Sequence, residues 1–131
     1  MPEPNISSNT FTTRTVSLPA IQVEYKPSKR GWYCQQLSHW HELMGKFNRN
    51  YIRKTIETML AECLIHVAEP YVIVELALPV GKRMLYARGV SKCHEIELGG
   101  FDEQRGIRIA KSRAIDELYH KLQCEIAKHV V

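Results

Sequence analysis

No apolar run in this chain approaches the roughly 18 residues that a membrane span needs, so a spanning helix is excluded at the outset. The opening stretch MPEPNISSNTFTTRT lacks the basic start and apolar centre of a secretory signal, which leads us to expect a cytoplasmic, reducing setting. The four cysteines, Cys34, Cys63, Cys93 and Cys124, are scattered without the close pairing of a disulfide framework and read as free thiols. There is no glycine-rich phosphate loop, no serine nucleophile elbow and no HExxH motif. The expectation is therefore a protein that is not an enzyme and needs no cofactor.

What is present is an ordinary globular composition. The 131 residues are 44% hydrophobic and 24% charged, enough for one core. A formal net charge of +4 permits contact with nucleic acid or an acidic protein without demanding either.

Residues 1–17 are rich in Ser, Thr, Asn and Pro, and read as a flexible N-terminal arm, or alternatively as an edge strand over Thr10–Val16. Residues 18–131 form the expected single domain. Ile21, Val23 and Tyr25 alternate with Gln22 and Glu24 in a half-buried strand pattern, broken by Pro27–Gly31. From Cys34 the period becomes helical, with Leu37, Trp40, Met44 and Phe47 on one face. Asn48 or Asn50 can cap a second helix whose stripe is Ile52, Ile56, Met59, Cys63 and Val67, ended by Pro70.

Residues 71–78 are nearly all apolar and suit a central strand. The turn Pro79–Lys82 leads into an antiparallel partner over Arg83–Val90, in which Met84, Tyr86 and Arg88 share one face and Leu85 and Ala87 the other. Gly89 reads as a bulge, and residues 92–98 read either as a continuation of this strand or as a third one over His94–Leu98. The last helix opens at Asp102 and buries Ile107, Ala110, Ala114, Leu118 and Leu122, leaving Arg105, Arg108, Ser112, Asp116 and Tyr119 opposite.

The fold class is α+β: a small antiparallel sheet of three or four strands, covered on one face by helices, with order α-β-β-(β)-α in the C-terminal part. Over roughly the last eighty residues this order resembles the double-stranded-RNA-binding-domain fold. Where that family carries a lysine-rich cluster at the head of its last helix, this chain reads Asp102-Glu103-Gln104 ahead of Arg105. In place of a histidine-bearing loop it has the short Pro79–Lys82 turn. The run Gly89-Val-Ser-Lys-Cys93, with Phe101-Asp102 and Gly106 to Ala114, also looks like a pattern of small uncharacterised bacteriophage proteins, which implies no activity.

Three candidate chemistries remain. Arg105, Arg108 and Lys111 at the head of the last helix, with Lys82, Arg88 and Lys92 on the hairpin, make a candidate phosphate-binding surface for nucleic acid. The bland counterpart is a solvated helix face paired to Glu103 and Asp116. Lys26, Lys29 and Arg30 beside Trp32 and Tyr33 mix charge with aromatics, as a base-stacking loop would.

The alternative is a protein-interaction module, such as a phage-encoded adaptor or inhibitor or a homodimer, using Trp32, Tyr33, Tyr86 and Ile109. Metal is the weakest idea. Cys63-x-x-His66, His39 and His41 near Cys34, Cys93-His94, and His120 before Cys124 each offer two ligands without finger-like spacing.

Overall fold

A computed structural model describes residues 12–16 (backbone only), 31–93 and 100–130. Strand β1 is Thr12–Val16, helix α1 Gly31–Lys46 and helix α2 Arg49–Met59. Strands β2 (Glu62–Ala68), β3 (Tyr71–Val80) and β4 (Arg83–Lys92) follow, and helix α3 spans Glu103–His129. The strands form one antiparallel sheet in the order β1-β2-β3-β4. Three helices and this sheet bear out the α+β class.

Two caps fall where side-chain chemistry places them. Asn48 accepts a bond from the Tyr51 amide at 2.9 Å to start α2, and Asp102 accepts one from the Arg105 amide at 3.1 Å to start α3. The Pro79–Lys82 segment makes a hairpin in which Val80 already belongs to β3 and Gly81 turns the chain at φ +62°.

Two expectations need correcting. The helical stripe read through Cys63 and Val67 stops at Met59, and residues 62–68 are strand β2 instead. Ile52, Ile56 and Met59 fit a helical period, but Cys63, Ile65 and Val67 also fit a period of two, and β3 supplies ladder partners for every residue from Glu62 to Ala68. Gly89 is no bulge, because it pairs in register with Val74. A Cβ there would lie 1.9 Å from the Ala110 carbonyl oxygen, so Gly89 is where α3 crosses closest to the sheet. Gly106 answers it, since a Cβ there would meet Val72 at 2.8 Å.

The strand expected over 94–98, the Ile21–Tyr25 strand and the cations Lys26, Lys29 and Arg30 lie outside the described residues. Thr12–Val16 does pair with β2, as the edge-strand reading of this stretch anticipated.

The core sits between the sheet and the three helices. Val72, Val74, Leu76, Leu78 and Val80 of β3 face Ala110, Ala114, Leu118 and Leu122 of α3, joined by Leu37 and Trp40 of α1 and Ile52 and Ile56 of α2. Phe47 lies outside this core, stacked on Tyr51 with ring centroids 4.2 Å apart. Among the described residues every helix packs on one side of the sheet and none covers the opposite face. Among the described residues, no helix is long and apolar enough to cross a membrane.

Candidate binding surfaces

The six cations singled out in the sequence do not converge on one surface. Lys82 sits in the β3–β4 turn, and Lys92 ends β4 ten residues further on, about 33 Å along an extended strand. Lys111 turns to α2 and pairs with Glu57 at 2.8 Å. Arg88 emerges on the open face directly across from Glu75. Arg105 and Arg108 are exposed one turn apart on α3. Only Lys92 and Arg105 come together, at the rim of a water-sized pocket of about 30 Å³ lined also by Ser91, Phe101 and Asp102.

The stripe expected to face solvent on α3 carries α2. Arg53 donates to the Ser112 hydroxyl at 2.6 Å and approaches Asp116 at 3.0 Å. Arg49 also reaches Asp116, at 3.3 Å, and lies over the Tyr119 ring at 5.3 Å. Asp116 therefore neutralises cations of α2, not Arg105 or Arg108.

A second cluster ties α1 to the opposite end of α3. The Tyr33 hydroxyl donates to Glu125, Arg83 lies 4.2 Å from the Tyr33 ring centroid, and His129 meets that ring edge-on at 5.6 Å. Lys128 pairs with Glu125 at 3.4 Å. Burial, then the Glu125 carboxylate, pushes the Tyr33 hydroxyl up to about 12. The Tyr33 hydrogen bond, followed by the Lys128 and His129 charges, holds Glu125 below its ordinary value against the opposing effect of burial. These contacts clamp the start of α1 and the hairpin turn to the end of α3. Gly81 completes the clamp by letting the hairpin turn press against the Tyr33 backbone, where a Cβ would come within 2.8 Å.

The thiols and imidazoles stay apart. Cys63 and His66 lie on a strand, three residues apart, so their side chains leave opposite faces of the sheet and cannot share a metal. Burial pushes the Cys63 thiol up, away from the thiolate a metal needs. His120 and Cys124 meet at 3.6 Å as an exposed pair on α3. Among the described residues, no three metal-ligating side chains gather.

The surface that sequence reasoning under-weighted is the open face of the sheet. The register puts Leu64 and His66 of β2, Tyr71, Ile73, Glu75 and Pro79 of β3, and Met84, Tyr86, Arg88, Val90 and Lys92 of β4 on it. Tyr86 is 62% exposed, Tyr71 42%, Met84 39% and Val90 38%. Its charges are of both signs: Glu75 contacts His66 at 3.3 Å, and Lys92 lies 5.5 Å from the Tyr71 ring centroid. The alternation of Met84, Tyr86 and Arg88 and a sheet covered by helices on one face were both readable in the sequence, but the exposure of this particular row was not.

Of the aromatic candidates for a partner surface, Tyr86 alone is largely exposed. Tyr33 is bound to Glu125, and Trp32 and Ile109 are half-buried. No protein-family model, curated protein or solved structure matches this chain.

Proposed function

We propose that this chain is a small non-enzymatic interaction module that docks a protein surface on the open face of its sheet. The observation that carries this reading is the cluster of large apolar side chains, Tyr71, Met84, Tyr86 and Val90, left exposed on β3 and β4. Met84 and Tyr86 neighbour one another along β4, with Val90 beyond Arg88, and large apolar side chains gathered on one face mark interaction sites more often than singly scattered ones do. Glu75, Arg88 and Lys92 set among these residues supply charges that a partner's polar rim can match. The partner this face fits is an apolar protein surface bordered by both signs of charge, a second copy of the chain included.

The test is site-specific photo-crosslinking in cells, from position 86 on the open face and from position 39, which is exposed on α1. Protein adducts concentrated at position 86 support the reading. Equal yields from both positions, or none from 86, overturn it.

Nucleic acid is the second reading, favoured by the meeting of Lys92 and Arg105 at the head of α3 with Arg108 one turn on. From α2 onward the described order is α2-β2-β3-β4-α3, in which β2 takes the place of residues read as helix, while the optional third strand of the double-stranded-RNA-binding-domain resemblance, 94–98, lies outside the described residues. A duplex held by these phosphate contacts loses affinity steeply as salt rises, and Arg105→Glu with Arg108→Glu abolishes binding without unfolding the chain. No binding to duplex RNA, duplex DNA or single strands at low salt removes this reading.

A further inference from the structure

We infer that the outer edge of β4 is a strand-addition site for a second copy of this chain, held shut by a latch of three α3 side chains. Among the described residues β4 is last in the sheet, and its alternate residues point their backbone N–H and C=O away from β3. Tyr86, Arg88 and Val90 are such residues, and α3 meets their backbone groups. Lys121 Nζ donates to the Tyr86 carbonyl at 2.5 Å. Glu117 Oε2 accepts from the Arg88 amide at 3.3 Å. Arg113 Nη1 donates to the Val90 carbonyl at 2.6 Å.

Spacing and charge both fit this role. Residues 113, 117 and 121 rise by about 6 Å per four-residue step along a helix. Outward-facing residues 86, 88 and 90 are separated by about 6.6 Å per two-residue step along a strand. The helix runs opposite to the strand, so 121, 117 and 113 meet 86, 88 and 90 in turn. A cation sits on each carbonyl and a carboxylate on the amide between them. Lys121 and Glu117 also pair with each other at 3.5 Å, which couples two members of the latch.

What these side chains cover would otherwise be a template for pairing. The edge carries Met84, Tyr86 and Val90 as exposed apolar groups on one face. Charged side chains over an edge are a device by which sheets avoid joining edge to edge. The occupant that fits the vacated groups is another β4. Two copies related by a two-fold axis run antiparallel, so each outward N–H finds a C=O of the same strand in its partner. The exposed apolar rows of both copies would then continue across the joint. This inference concerns the edge and stands whether or not the open face binds a partner.

The test combines sedimentation equilibrium with site-resolved amide exchange on the full chain. In the wild type the Arg88 amide exchanges slowly, and Glu117→Ala speeds it by about fivefold or more, the weight of one hydrogen bond. The triple variant Arg113→Ala, Glu117→Ala, Lys121→Ala doubles its mass with rising concentration, and the Tyr86 and Val90 amides become protected as it does so. A triple variant monomeric at every concentration overturns the inference. So does a dimer in which those two amides stay fast, because its contact lies elsewhere. Should the triple variant fail to fold, the wild type and Glu117→Ala decide alone: an Arg88 amide indifferent to Glu117 means there is no latch.

Discussion

The two faces of β3 and β4 are built from alternate residues of the same two strands, yet they are chemically unlike. On the covered side Val72, Val74, Leu76, Leu78 and Val80 are essentially inaccessible, and β4 answers with Ala87, Gly89 and Ser91. Those small groups allow α3 to lie almost on the β4 backbone, with the Ser91 hydroxyl donating to the Gly106 carbonyl at 2.8 Å. On the open side, β4 instead carries Met84, Tyr86, Arg88, Val90 and Lys92, all exposed. A strand that supported a helix on either face would not need this asymmetry. Within β4, small residues mark the face packed on α3, while bulky apolar and charged ones mark the exposed face.

The sharpest way to break this contrast is to hollow the covered face. Leu76→Ala and Leu118→Ala remove side chains that are fully enclosed and should each cost about 2–5 kcal/mol in urea unfolding. If either is neutral, α3 does not seat where described. Gly89→Ala probes the same face by overfilling it. The added methyl meets the Ala110 carbonyl, a backbone atom that cannot swing aside, and the expected cost is at the upper end of the usual overpacking range, about 3 kcal/mol.

These positions also show how much was legible from sequence. Helices α1 and α3, the start of α2, the β3–β4 hairpin and the in-out alternation of β4 were readable, because long periodic stripes and the caps Asn48 of α2 and Asp102 of α3 are local signals. Strand β2 was not, since the apolar positions from Ile52 through Val67 satisfy a helical period, and only pairing with β3 selects the strand. The dispersal of the cations was equally hidden. Lys111, Arg113 and Lys121 look free on a helical wheel, yet they meet Glu57, the Val90 carbonyl and the Tyr86 carbonyl, all distant in sequence. Gly89 and Gly106 were conspicuous as glycines, but a sequence cannot say that each faces the other's element.

The clamp at the far end of α3 offers a milder test through pH. Glu125 is held below its ordinary value, so its contribution is present at neutral pH and is lost as pH falls from the ordinary glutamate range through the folded-state value. Tyr33 is shifted the other way. A neutral Tyr33 hydroxyl stabilises the fold at neutral pH, and that contribution is lost as pH rises from about 10 towards about 12. Thermal unfolding across pH should therefore weaken at both ends. Tyr33→Phe should lower stability by about 1–2 kcal/mol at pH 7 and flatten the alkaline limb. An unchanged alkaline limb in Tyr33→Phe would mean that another group sets it.

The smallest expected effect on stability bears most directly on function. Tyr86→Ser and Val90→Thr alter only the open face, where each side chain is already in contact with water. Unfolding free energies should stay within about 0.5 kcal/mol of the wild type. Crosslinking from a neighbouring open-face position, such as 84, should nevertheless fall sharply in the double variant, because truncating apolar anchors weakens an interface while leaving the fold's core intact. If the double variant instead unfolds like a covered-face variant, Tyr86 and Val90 belong to the folding core and the two faces are not divided in labour. If it stays folded and crosslinking persists undiminished, the exposed apolar cluster is not what a partner reads. The contrast between the faces would then concern packing alone, and the charged head of α3 would become the surface to examine.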